Sequence, residues 1–128
     1  MREPAPAYGP PAEAAATEPW SHPWLDQLGL QYHRAIAQRI TAQPALLQIA
    51  IGNIDRWLTQ NDYPPAPRQA LLEWRAFLAS EPLERIVDRM TDPSEKGHER
   101  RQNTPFAGIL TDRERKQIRE RYEQATTR

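Results

Sequence analysis

The 128-residue chain contains no cysteine, which excludes disulfide bonds, thiol chemistry and thiolate metal sites. An absence of cysteine is typical of proteins in a reducing cytosol, so we expect a cytoplasmic location. Charge of one sign is not in excess either, because 17 Lys and Arg residues balance 17 Asp and Glu residues. A neutral chain has no overall field that would draw it to nucleic acid or to a membrane.

Long apolar runs are also missing, since no stretch approaches the ~20 residues that a membrane helix needs. The N-terminus lacks the basic-then-apolar layout of a secretory signal, and we expect no membrane contact. Hydrophobic residues make up 38% of the chain and its mean hydropathy is −0.84, which is polar for a globular domain. The core should therefore be thin and supported by a partner protein or by self-association, so that a homo-oligomer is an open alternative.

Groups that carry chemistry are sparse and dispersed. The three histidines, His22, His33 and His98, are far apart and form no paired metal-ligand motif, and His33 is expected at the edge of the first helix. The five glycines do not cluster into a phosphate loop, and no serine has a neighbouring base held by a third group. We therefore predict no catalytic residue, no metal ligand and no cofactor, and a protein that is not an enzyme.

Residues 1–23 hold six prolines among alanine and glutamate. Proline removes a backbone donor and interrupts helices and strands, so this composition predicts a disordered Pro/Ala-rich tail, followed by a helical domain at 24–128. Trp20 and Trp24 stand out in this region. We expect both to fold back onto the domain, and contact with a partner is the alternative.

From Leu25 to Met90, apolar residues recur at steps of three and four, the period of amphipathic helices. Pro44, Pro67 and Pro82 suit first-turn positions. No stretch alternates apolar and polar residues as a strand does. The pattern predicts an all-α fold, a small bundle of four to six helices. The expected buried stripes are Leu25, Leu28, Tyr32, Ile36 and Ile40; Leu47, Ala50, Ile51, Ile54, Trp57 and Leu58; Ala70, Leu71, Trp74, Phe77 and Leu78; and Leu83, Ile86, Val87 and Met90.

Two further helices are indicated towards the C-terminus. Asp92 and Pro93 favour a helix start, but residues 93–104 contain no large apolar side chain, so this helix should be exposed. Thr111 and Glu114 form a capping box that begins the last helix at about Asp112. Its ion pairs at i, i+4 contribute only ~0.2–0.5 kcal/mol each, which is too little without docking. Its sizeable apolar residues are Ile118 and Tyr122.

Between these helices lies an apolar island, residues 105–110, in otherwise polar sequence. Phe106, Ile109 and Leu110 would each contribute ~1.5–3 kcal/mol if fully buried. We interpret the island as an anchor that ties down the weak terminal helix. It docks either on the chain's own bundle or on another chain.

Three stretches resemble a set of small bacterial helical proteins: "IAQRITAQPALLQIAIGNIDRW", "LLEWRAFL" and "RQxxPFAGILTxxER". The resemblance covers roughly residues 33–122. Such proteins often have two serines before the Pro-Phe pair, where this chain has Asn103 and Thr104, and a turn-capping role survives that change. They resemble the antitoxin-like member of toxin–antitoxin modules. The resemblance implies a protein that neutralises or regulates a partner protein, and the product of the adjacent gene is the candidate partner.

Three functions remain open from the sequence. The first is an antitoxin-like protein-binding module, and the second is a nucleic-acid-binding transcriptional regulator that uses C-terminal arginines such as Arg101, Arg115 and Arg119. The third is a structural subunit of a larger assembly. For the first function, Arg101 and Arg115 would form a polar rim around the apolar anchors. The candidate partner-binding residues are Phe106, Ile109, Leu110, Arg101, Arg115, Ile118, Tyr122, Trp20 and Trp24.

Overall fold

The computed structural model describes residues 20–126, and in that range the chain forms six α-helices and no strand. The all-α prediction is therefore confirmed, with the helix count at the upper end of the expected range. A 3₁₀ turn at Pro44–Leu46 leads into the second helix. The helices are α1 His22–Ala42, α2 Leu47–Leu58, α3 Pro65–Ser80, α4 Leu83–Met90, α5 Glu95–Arg101 and α6 Asp112–Thr126. The predicted disordered tail falls largely on residues 1–19, which lie outside the described residues.

The first helix begins earlier than its apolar pattern indicates. Ser21 caps α1 by accepting a hydrogen bond from the Trp24 N–H at 3.4 Å, and Pro23 lies in the first turn. Proline is tolerated there because first-turn amides have no partner within the helix. The predicted boundary at residue 23 therefore lies inside α1. The stripe prediction for Leu25 is also wrong, since its side chain is 39% exposed.

Two other helix starts differ from the predictions because caps depend on local geometry. α3 begins at Pro65 instead of Pro67. Ser94, not Asp92, caps α5, since its Oγ accepts from the Gly97 N–H at 3.2 Å. Asp92 instead accepts from the Ser94 N–H at 2.9 Å, and this hydrogen bond lowers the pKa of the Asp92 carboxyl.

The prediction of an exposed helix after residue 93 holds for one face of α5, where Glu95, Lys96 and Glu99 are exposed, but not for the other face. Gly97 and Arg101 of α5 are both buried. A Cβ at Gly97 would lie 2.1 Å from the Asp92 carbonyl oxygen, so only glycine allows the helix to approach the preceding loop this closely. α5 is thus held by backbone proximity and by one buried arginine, features that a search for apolar stripes does not detect.

α1 is the central element, and it packs against α4, α5 and α6. The main core collects the predicted stripes of four helices together with the apolar island. Its buried members are Ile36, Ala37, Ile40, Ala50, Ile54, Leu71, Trp74, Leu78, Ile86, Met90, Phe106, Ile109 and Leu110.

A second, smaller cluster joins the start of α1 to the end of α6. Trp24 is completely buried beside Leu28 and Tyr122, and its indole N–H donates to the Thr126 hydroxyl at 2.7 Å. Trp20 lies against Trp24 with ring centroids 4.8 Å apart and donates to a Glu123 carboxylate oxygen at 2.9 Å. Both tryptophans fold back onto the domain, as expected. We call Trp20, Trp24, Tyr122 and Thr126 the aromatic clasp.

The other end of α6 is held by its cap. The Thr111 hydroxyl accepts from the Glu114 N–H at 3.1 Å, and the Glu114 carboxylate accepts from the Thr111 N–H at 2.9 Å. The predicted capping box is therefore confirmed. Glu114 also pairs with Arg39 of α1. A helix poor in apolar residues is thus attached to α1 at both ends.

We predict that Trp24→Ala lowers the free energy of unfolding by about 3–5 kcal/mol, because it leaves a large cavity and removes a buried hydrogen bond. Trp20→Ala is the matched control, and since Trp20 is 49% exposed it should cost no more than about 1 kcal/mol. Urea unfolding measures both values, and hydrogen exchange should show α6 losing protection in Trp24→Ala. Equal effects of the two substitutions would contradict the central position of Trp24 in the clasp.

Candidate functional site

The apolar island completes the core of its own chain. Phe106 is 1% exposed, Ile109 5% and Leu110 6%. The Phe106 ring meets Trp74 of α3 edge-on, with centroids 5.3 Å apart. Gly108 makes the turn with φ of +90°, a conformation that glycine adopts without strain. Of the two docking alternatives, the structure shows the first, in which the island docks on the chain's own bundle.

A buried amide on α2 fixes the backbone of the island. The side-chain N–H₂ of Asn53 donates to the carbonyl oxygens of Pro105 at 2.9 Å and of Ala107 at 2.8 Å. Its Oδ1 accepts from Arg56 at 2.7 Å, which sets the orientation of the amide. The Nδ2 group and the Oδ1 atom of Asn53 are thus both hydrogen-bonded. We call this arrangement the Asn53 latch.

A buried histidine on α1 fixes the island from the opposite side. His33 Nδ1 lies 2.7 Å from the Gly29 carbonyl oxygen, and Nε2 lies 2.7 Å from the Thr104 hydroxyl. The neutral ring therefore donates at Nδ1 and accepts from Thr104 at Nε2. The Thr104 oxygen in turn accepts from the Phe106 N–H at 3.3 Å, a turn-capping contact of the kind that the resemblance implies.

The sequence predicts His33 at the edge of the first helix. The structure shows instead that its side chain is buried and only 5% exposed. Burial lowers the pKa of His33 from about 6.5 to about 4, even though the hydrogen bond to Gly29 acts in the opposite direction. The guanidinium groups of Arg101 and Arg115 lower it further. The ring is therefore neutral at pH 7, which is the state that accepts the Thr104 hydrogen bond.

The two predicted rim arginines have different environments. Arg101 is 8% exposed, and its Nη1 donates to the carbonyl oxygens of Met90 at 3.2 Å and Asp92 at 2.6 Å. It is a buried cap for the end of α4, so its placement on a surface rim was wrong. Arg115 is exposed and lies over the Tyr32 ring, 4.4 Å from the centroid. Arg101 is thus buried and Arg115 exposed, although both lie near enough to His33 to lower its pKa.

Two of the predicted partner-binding residues come together at a surface cleft between α1 and α6. The floor holds Leu110 and Ile118, and Arg39 and Arg121 stand at its edge. The cleft has a volume of about 340 Å³. We call it the α1–α6 cleft. Its lining is Ala35, Gln38, Arg39, Ala42, Leu110, Glu114, Gln117, Ile118 and Arg121.

The remaining predicted partner-binding residues lie elsewhere. Trp24 and Tyr122 are buried in the aromatic clasp, and burial raises the pKa of Tyr122 to about 12. Trp20 is the most exposed large apolar side chain in the described range, at 49%. Whether any of these residues contacts a partner stays a prediction. Side chains enclosed in the core, however, offer a partner little surface.

A second cleft borders α1 on its other side and is lined by both α1 and α4. Its volume is about 610 Å³, and Gln38 and Ala42 line both clefts.

Among residues 20–126, no group of three or more histidine and carboxylate side chains is placed to hold a metal ion. No helix in the described range has the length and apolar character needed to cross a membrane.

Comparison of the chain with protein-family models, with curated proteins and with solved structures found no match. The resemblance to antitoxin-like proteins therefore stays an expectation that rests on the three quoted stretches. What the chain does must be argued from its own surfaces.

We predict that Asn53→Ala lowers the free energy of unfolding by about 2–4 kcal/mol, because it leaves the buried Pro105 carbonyl oxygen and the partly buried Ala107 carbonyl oxygen without this donor. Asn61→Ala, in the exposed loop before α3, is the control and should change it by less than about 0.5 kcal/mol. Urea unfolding measures the difference. A cost below about 1 kcal/mol for Asn53→Ala would show that the latch contributes little.

The lowered pKa of His33 predicts a pH-dependent stability. Between pH 6.5 and about 4 the unfolded chain binds a proton that the folded chain excludes. The contribution of His33 is therefore complete above pH 6.5 and is lost as the pH falls towards 4, by about 3 kcal/mol in total. His33→Gln should remove this part of the pH dependence, whereas the exposed His22→Gln should retain it. If urea unfolding shows that His33→Gln and His22→Gln lose the same part of the pH dependence, its assignment to His33 is wrong.

Proposed function

We propose that this chain is a protein-binding regulatory module of the antitoxin-like kind, and that it neutralises or regulates a partner protein through the α1–α6 cleft. The observation that carries the proposal is the composition of that cleft. Gln38, Arg39 and Ala42 come from the first of the stretches that resemble antitoxin-like proteins, and Leu110 and Glu114 come from the third. Two stretches separated by about 70 residues thus meet at one surface.

The burial of the island changes which residues are offered to the partner. Phe106 and Ile109 shape the core beneath the surface, and the accessible side chains above it belong to α1 and α6. Gln38, Ala42, Gln117 and Arg121 are exposed and line the cleft. An apolar floor with arginines at its edge is the arrangement in which interface hot spots form, because water is excluded around a guanidinium that a partner can pair.

The charge of the lining favours an acidic partner segment. Arg39 and Arg121 are its cations, and Glu114 is its carboxylate. Because Glu114 already pairs with Arg39, the cleft has a net positive edge at Arg121. A partner segment with a carboxylate beside an apolar group would pair with Arg121 at the edge of the cleft and pack against its apolar floor.

Co-purification with the product of the adjacent gene, followed by measurement of Kd, tests the proposal. Ala42→Trp places a bulky ring over both clefts and should weaken binding at least tenfold. Ala76→Trp, at an exposed position of α3 outside the clefts, is the matched control and should leave Kd unchanged. If both variants bind and neutralise the partner like the original chain, the cleft is not the interface.

Reversal of one charge tests the electrostatic part separately. Arg121→Glu should weaken binding by about tenfold or more, and the effect should shrink at high salt. Arg113→Glu lies on the same helix, is exposed and does not line the cleft, so it should have little effect. Equal losses from the two reversals would indicate attraction by overall charge instead of a defined site.

A further inference from the structure

We propose that a small cleft between α1 and α5, around Arg101, binds a single oxyanion group, either a carboxylate or a phosphate. This inference is independent of the α1–α6 cleft. The new site lies on the side of α1 that faces α5, and its lining shares no residue with the proposed partner surface.

The first observation is a buried guanidinium with unused hydrogen-bonding capacity. Arg101 is 8% exposed, and its Nη1 contacts only carbonyl oxygens. Its Nε–H is buried without any hydrogen-bond partner. Within residues 20–126, no carboxylate forms an ion pair with this guanidinium at 4 Å or less. Asp92 and Asp26 act on this charge from a distance, but neither carboxylate reaches the Nε–H, and an oxyanion in the cleft would supply the missing acceptor.

The second observation is the space beside this group. The cleft has a volume of about 130 Å³. A space of this size admits a small group such as a carboxylate or a phosphate. The lining is Leu25, Asp26, Gly29, His33, His98, Arg101 and Gln102. Gln102 is exposed, so the lining is open to solvent at this residue.

The third observation is a glycine that packing does not require. Gly29 lies in the middle of α1, where glycine is less favourable than alanine by ~1 kcal/mol. A Cβ at this position would have no atom within 4 Å, so no neighbouring residue excludes a methyl group. The absence of a side chain keeps this part of the cleft open.

Asp26 is the carboxylate in the lining, and it opposes an anion. Its Oδ2 lies 3.0 Å from His98 Nε2, and the Gln102 amide nitrogen lies 3.2 Å from the same ring atom. His33 is already engaged by Thr104 and is neutral at pH 7. Arg101 and the Gln102 amide are therefore the groups that would donate to the anion. Removal of the Asp26 charge should strengthen binding.

Titration of the full chain by NMR tests the site. Sodium phosphate and sodium acetate are added separately at about pH 7, with sodium chloride holding the ionic strength constant. We expect a saturable shift of the Arg101 Nε–H and His98 ring signals. A response to phosphate alone assigns a phosphate group, a response to acetate alone assigns a carboxylate, and a response to both assigns the shared oxyanion chemistry. No saturable shift with either salt overturns the proposal.

Two matched pairs of variants separate binding from general effects. Gly29→Ala should leave the chain folded while weakening anion binding at least fivefold, whereas Gly52→Ala, at an exposed glycine of α2 with equally open surroundings, should not change the affinity. Asp26→Asn should tighten binding about fivefold, and Asp88→Asn, an exposed carboxylate outside the cleft, should not. Identical titrations for Gly29→Ala and Gly52→Ala would place any bound anion elsewhere and overturn the site.

Discussion

The fold depends on the pair of hydrogen bonds that Asn53 donates to the carbonyl oxygens of Pro105 and Ala107. An irregular segment can enter a hydrophobic core only if its backbone polar groups find partners there. Asn53 supplies two donors from one side chain, and Thr104 supplies the acceptor for the Phe106 N–H. The apolar contacts of Phe106, Ile109 and Leu110 then become available to the bundle. Without these polar partners, the burial of the three side chains would be offset by the cost of enclosing an unsatisfied backbone.

The same arrangement explains how a polar chain maintains a folded domain. α6 contributes few apolar atoms of its own, and α5 contributes almost none. Their positions are set by particular polar groups: the capping box and Arg39 for α6, and Arg101 and Ser94 for α5. Each of these groups forms a hydrogen bond or an ion pair with a backbone atom or a charge that would otherwise be unpaired. Specific polar contacts therefore replace part of the apolar burial that larger domains use.

The features that sequence predicts well are those encoded over a few residues. The stripes at Ile36 and Ile40 or at Trp74 and Leu78 follow from a period of three to four, and the Thr111–Glu114 box is complete within one turn. Asn53 and His33 gave no such signal. Their roles depend on atoms 52 and 71 residues away, and a polar residue on a helix is ordinarily solvated. Arg101 gave no signal either, although its acceptors, the Met90 and Asp92 carbonyl oxygens, are only 11 and 9 residues away, because backbone carbonyl groups carry no mark in the sequence.

The aromatic clasp has a consequence for biosynthesis. Trp24 precedes its hydrogen-bond partner Thr126 by 102 residues. At ~5–20 residues per second, a ribosome completes that interval in roughly 5–20 s, and throughout this time the indole ring has no Tyr122 or Thr126 to cover it. A chain that terminates early never covers it at all. Trp24 is therefore enclosed only after translation has reached the end of α6. Incomplete chains would present an apolar surface to chaperones and proteases.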